Sequence, residues 1–126
     1  MSLNVLVIDD SATMRRMIGR ALQMTGLPIG RIEEAANGAA GLATLRARPF
    51  DLALVDINMP EMDGLSMIDA ASKDTKVSSV PVIVVSTEAS EARLNELERR
   101  GIPLVRKPFD PERLLAAVLG AIGGVR

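Results

Sequence analysis

The stretch Asp51–Gly64, DLALVDINMPEMDG, is apolar from Leu52 to Val55, stops on Asp56 and breaks at once into turn residues. The chain opens the same way: in LNVLVIDDSA, Leu3–Ala12, an apolar run from Leu3 to Ile8 leads straight into Asp9 and Asp10. Short runs rich in Val, Ile and Leu, bounded by turn residues, are the pattern of strands buried on both faces. Three more such runs, Ile32–Ala35, Val82–Val85 and Leu104–Val105, are spaced along the chain by amphipathic stretches. That alternation predicts an α/β fold, a parallel sheet of five strands with helices on both faces.

The intervening segments read as helices. Met14, Met17, Ile18, Ala21 and Leu22 share one face of a first helix that Gly26 stops, and its methionines are expected in the core. A second helix is expected from Asn37, a third after Gly64, and a fourth from about Glu88 to Arg100 with a solvated, charge-laced face that includes Glu98, Arg99 and Arg100. The fifth has the clearest signals. Asp110 caps it, Pro111 takes its first position, and Leu114, Leu115, Val118, Leu119 and Ile122 form its apolar side.

Parallel strands joined by right-handed helical crossovers bring their C-terminal ends to one edge of the sheet. The residues delivered there are Asp9 and Asp10 after strand one, Asp56 after strand three, Ser86 and Thr87 after strand four, and Lys107 after strand five. Ligand crevices in such sheets lie where the strand order reverses, here between strands one and three, where the three acids meet. Singly, each residue has an ordinary role. Asp9, Asp10 or Ser11 could cap the first helix, Asp56 could start a turn with Asn58 and Pro60, Ser86 could cap the fourth helix, and Lys107 could be a surface lysine. Their coincidence at one edge favours a site. Crowded carboxylates repel and call for a cation. With neither His nor Cys in the chain, the available ligands are oxygen, which suits a hard, partly hydrated ion such as Mg²⁺.

Composition narrows the chemistry further. At 126 residues and 48% hydrophobic content the chain fits one domain. A net charge of -1, with two Phe and no Tyr or Trp, gives neither a basic surface nor a stacking platform for nucleic acid. No apolar run reaches the roughly 18 residues of a membrane helix, no signal peptide is recognisable, and a cytoplasmic protein without membrane insertion is expected. The absence of His excludes Ser-His-Asp triads, HExxH metal sites and phosphohistidine carriers. A nucleotide site wants a glycine-rich, donor-rich loop after a strand, whereas this chain has DDSATM, whose carboxylates would repel phosphate without a metal. Metal-assisted phosphoryl transfer to a carboxylate fits: Asp56 attacks phosphorus while Lys107 and Ser86 hold the other oxygens.

The segments VIDDS, DINMPEMDG, VVST and RKPF, in this order and spacing, resemble the four signatures of the receiver domain of bacterial response regulators, and especially the small stand-alone chemotaxis type called CheY. The resemblance covers nearly the whole chain and implies one receiver domain over residues 1–126, with a flavodoxin-like, doubly wound sheet in the order 2-1-3-4-5. It implies that Asp56 takes a phosphoryl group from a histidine kinase or phosphotransfer protein. Asp10, Asp56 and the backbone carbonyl of Asn58 would ligate Mg²⁺, Asp9 would help through water, and Ser86 and Lys107 would act on the phosphoryl group. A monomer that switches its helix 4, strand 5 and helix 5 surface toward a downstream target, such as one in chemotaxis, would follow, as would a cis Lys107–Pro108 bond. Such a protein assists its own phosphorylation and dephosphorylation and is not an enzyme in the usual sense.

The chain departs from that pattern at two positions. The family usually carries Tyr or Phe three residues before the lysine, where Leu104 stands in a GIPLVRK segment one residue shorter than usual. A very small residue commonly follows the serine, where this chain has Thr87. Ser86 and Leu104 are the candidate switch residues. The alternatives are a receiver belonging to a larger transcription factor or enzyme, and an independent phosphatase of the haloacid-dehalogenase type. The latter wants a second Asp two positions after the nucleophile, where Asn58 stands.

Overall fold

The computed structural model describes residues 2–56, 64–86, 91–107 and 110–123. Strands and helices alternate throughout: β1 (Leu3–Ile8), α1 (Ala12–Gln23), β2 (Ile29–Ala35), α2 (Gly38–Ala47), β3 (Leu52–Val55), α3 (Gly64–Ser72), β4 (Val82–Ser86), α4 (Glu91–Arg99), β5 (Leu104–Arg106) and α5 (Pro111–Gly123). The strands form one parallel sheet in the order β2-β1-β3-β4-β5. The doubly wound fold expected from the sequence is therefore present, in the order that flavodoxin and CheY share.

Period-two alternation divides the central strands between two cores. Val5, Val7, Leu52 and Leu54 pack with Ile18 and Leu22 of α1 and Leu114 and Val118 of α5. Leu6, Ile8, Ala53 and Val55 pack on the other face with Leu42 and Leu45 of α2 and Met67 of α3. On that face α2 rides close to β1, since a Cβ on Gly41 would lie 2.6 Å from Ile8 Cδ1 and 2.9 Å from Ile8 Cγ1. A third, smaller cluster joins Ile68, Val84 and Leu97, with Leu104 packed against it. Leu97 is the buried residue of α4, whose outer side is held by ion pairs of Arg99 and Arg100 with Glu96 and of Arg100 with Asp69 at 2.6 Å.

Helix ends follow local chemistry. Ser11 Oγ accepts from Met14 N, Asn37 Oδ1 from Ala40 N, and Asp110 Oδ1 from Arg113 N, each satisfying an otherwise orphaned first-turn amide. Gly26, at φ 83, ends the α1 segment as expected.

Three sequence expectations need correction. β2 begins at Ile29, three residues before the predicted start, because Leu3 N donates to Pro28 O and Arg31 N to Asn4 Oδ1, pairings a polar segment does not advertise. The sequence puts Met17 in the core and Leu119 on the apolar side of the fifth helix, yet they are 52% and 53% exposed. Met17 is about 100° around the helix from the buried Ile18, which turns it onto the flank. The charged segment Glu98–Arg100 is not merely solvated, because Arg99 and Arg100 are paired. The predicted first turn of α4, from Glu88 to Ser90, lies outside the described residues. Among the described residues no helix is long and apolar enough to cross a membrane.

Candidate functional site

Register builds the site. Ile8 pairs with Val55, so the next residues of the two adjacent strands, Asp9 and Asp56, emerge side by side at the C-terminal edge. Asp56 N donates to Ile8 O at 2.9 Å and Asp9 N to Ala35 O at 3.1 Å, which fixes both backbones. On the far side Ser86 pairs with Arg106, and Lys107 N donates to Ser86 O at 3.2 Å, bringing the lysine over the same edge.

The side chains close on one another. Asp9 and Asp56 are 1% and 6% exposed, and Ser86 is fully buried at 0%. Ser86 Oγ donates to Asp56 Oδ1 at 3.0 Å. Lys107 Nζ donates to Asp9 Oδ2 at 2.8 Å and to Asp56 Oδ2 at 3.3 Å. Burial pulls the Lys107 ammonium toward deprotonation, but the hydrogen bond to Asp9 and the charges of Asp56 and Asp9 outweigh it and hold Lys107 above the ordinary lysine value of 10.5.

Asp10 is exposed at the mouth of the cluster, and one carboxylate oxygen from each of Asp9, Asp10 and Asp56 lies within 4.8 Å of the others. Three carboxylates against one ammonium leave two negative charges in excess. An all-oxygen donor set with excess negative charge suits a hard divalent cation and offers nothing to a soft one.

Asp9, Asp10, Asp56, Ser86 and Lys107 are thus brought together as the sequence predicted. Leu104 is not at the site. It sits on β5 opposite Val84, in the cluster beneath α4, two residues along the same strand pair from Ser86. Asn58, Thr87 and the Lys107–Pro108 bond lie outside the described residues. One contributor went unnoticed in the sequence: Arg15 Nη1 donates to Asp9 O at 2.6 Å while its Nε holds Glu34 at 2.7 Å. Ser11 N adds a bond to Asp9 Oδ1 at 2.9 Å. Nothing in the α1 pattern marks Arg15 apart from Arg16.

The chain and its fold have counterparts among known proteins. The family model for the response regulator receiver domain matches residues 5–119. The chain belongs to the response regulator receiver domain family. The chemotaxis protein CheY1 of Helicobacter pylori is 34% identical over 123 residues, covering 94% of this chain and 98% of that protein. The chemotaxis protein CheY of Pseudomonas aeruginosa is 33% identical over 113 residues, covering 89% and 90%. The structure of Vibrio cholerae chemotaxis protein CheY4 superimposes with a TM-score of 0.82 at 31% identity, covering 96% of this chain and 99% of that one. This receiver is accordingly a phosphorylation-regulated response regulator of two-component signalling, a signalling protein and not a classical enzyme.

Proposed function

We propose that residues 1–126 form one monomeric, cytoplasmic receiver domain, which accepts a phosphoryl group on Asp56 from a histidine kinase or phosphotransfer protein. The observation that carries this is the position of Asp56, a buried carboxylate at the end of a central strand with Ser86 on one oxygen and Lys107 on the other. An Asp56 oxygen attacks phosphorus, the phosphorus–nitrogen bond of the donor breaks, and the electron pair leaves with the donor imidazole. Lys107 and Ser86 are hydrogen-bond donors already aimed at Asp56, and they can pass those bonds to the incoming phosphoryl oxygens. Asp9 keeps the lysine oriented, and Arg15 and Ser11 keep Asp9 in place.

Asp10 and Asp56, with the Asn58 carbonyl, would hold Mg²⁺, and Asp9 would act through water. A bound Mg²⁺ offsets the charge of the carboxylates and of the phosphoryl oxygens. The output is a changed α4, β5 and α5 surface that controls a downstream target. Ser86 and Leu104 lie on adjacent strands that lead from the site to the Leu97 anchor of α4. The resemblance to chemotaxis proteins along nearly the whole chain supports a role in chemotaxis.

Incubation with a small phosphodonor should give one acid-stable, base-labile label, dependent on Mg²⁺ and absent in Asp56→Asn. Equal labelling of Asp56→Asn and the parent would overturn the assignment.

A further inference from the structure

Glu34 stands outside the acidic cluster, on the edge strand, yet it is joined to it by one residue. Val7 pairs with Glu34 and Ile8 with Ala35, so Glu34 lies one position before the end of β2 and, by strand alternation, on the α1 side of the sheet with Val7. Arg15, in the first turn of α1, spans from there to the residue that follows β1: its Nε donates to Glu34 Oε1 at 2.7 Å and its Nη1 to Asp9 O at 2.6 Å. The guanidinium is a rigid planar fork, so fixing one of these bonds fixes the direction of the other. Asp9 O is the carbonyl of the peptide link to Asp10. The bond from Arg15 therefore orients the short segment that carries two of the three carboxylates.

The same pair governs charge at the site. Three carboxylates against Lys107 leave two negative charges in excess. Glu34 cancels the charge of Arg15; without it, the guanidinium on Asp9 O would act on the cluster as a second cation and halve that excess. We propose that Glu34 is a positioning residue for the divalent cation: by holding Arg15 on the Asp9–Asp10 peptide and cancelling its charge, it sets the affinity of the Asp9, Asp10 and Asp56 cluster for Mg²⁺. Glu33, the preceding residue, carries the same charge on the other side of the sheet, with Leu6, and its charge is taken up by Arg48 and Arg31 instead. The inference rests on the reading of the cluster as a Mg²⁺ site.

The test is a titration of the unphosphorylated, isotope-labelled chain with MgCl₂, followed by the amide shifts of Asp9 and Asp10 and by calorimetry. Glu34→Gln keeps the shape of a side chain that is 41% exposed, and it should bind Mg²⁺ at least about threefold more weakly than the parent, the order expected of one partly screened unit charge beside a divalent ion. Glu33→Gln, which breaks a comparable surface ion pair, should bind as the parent does. In an Arg15→Met background, Glu34→Gln should cause no further loss. Melts in EDTA show whether each variant is folded, and if Arg15→Met is not, the comparison of Glu34→Gln with Glu33→Gln decides. Equal affinity of Glu34→Gln and the parent, an equal loss in Glu33→Gln, or an undiminished loss in the Arg15→Met background would each overturn the proposal while leaving the metal site intact. A parent that does not bind Mg²⁺ would overturn the reading of the cluster and this inference with it.

Discussion

Replacing Asp10 by Asn removes one of three carboxylates while leaving the helix cap on Ser11, and its effect on stability should change sign with metal. The nearest oxygens of Asp9, Asp10 and Asp56 lie within 4.8 Å, and Lys107 cancels one buried charge, so Asp10 faces a net charge of about -1. At that separation one unit of like charge costs about 3.5 kcal/mol at an effective dielectric of ~20 and about 0.9 kcal/mol in bulk water. Asp10 is exposed, so screening puts the repulsion near the lower figure or slightly above it. Its position before α1 returns about 0.3–1 kcal/mol through the helix dipole. Repulsion wins narrowly. Without divalent cation, Asp10→Asn should be more stable by up to ~1 kcal/mol, a rise of roughly 2–5 °C in melting temperature for a domain of this size. A cation at about a hundred times its dissociation constant stabilises the parent by about 2.7 kcal/mol, and the variant, short of one ligand, by much less. Calorimetric melts in EDTA and in MgCl₂ should therefore rank the proteins in opposite orders. A variant less stable than the parent in EDTA, or one with an undiminished Mg²⁺-induced shift, would refute the charge argument.

Gly41→Ala should destabilise the protein by about 1–2 kcal/mol in chemical denaturation, because the new Cβ meets the buried Ile8 side chain at 2.6 Å and this outweighs the ~1 kcal/mol that helix propensity returns. Lys107 sits above 10.5 in the folded chain, so its stabilising ion pairs are fully present below that pH and are lost as pH rises through the higher folded value. The melting temperature should accordingly fall more steeply above pH 10.5 in the parent than in Lys107→Met, and parallel curves would contradict the contact geometry. Ser86→Ala should uncouple Asp56 phosphorylation from target binding. Leu104→Ala should change target affinity while leaving Asp56 labelling nearly intact; both can be read by labelling and a binding titration with the target, and phosphorylation-dependent binding unchanged in Ser86→Ala would count against the switch.

Much of this was legible because strand periodicity and strand endings are local signals. An apolar run that stops on Asp9 or Asp56 announces both a buried strand and the edge to which its last residue is delivered, and parallel topology then gathers Ser86 and Lys107. Arg15 was not legible, since its bonds to Asp9 O and Glu34 depend on where α1 lies over the sheet. Met17 and Leu119 were misread for a related reason: periodicity identifies an apolar arc, but the neighbouring elements decide how much of that arc is covered. The early start of β2 follows from partners on β1 that its own polar residues do not reveal.

Lys107 Nζ and Asp9 Oδ2 come from residues 98 apart in the chain. A ribosome extending the polypeptide through β4 has made every acid of the cluster but not the ammonium that draws two of them together. Closing so long a loop carries a large entropic cost that local helix formation does not help to offset. The contact therefore requires β5 to be paired with β4, which brings Lys107 to the acidic edge. A chain that stops before β5 holds the same carboxylates without the lysine between them, so the cluster is complete only once β5 has been made.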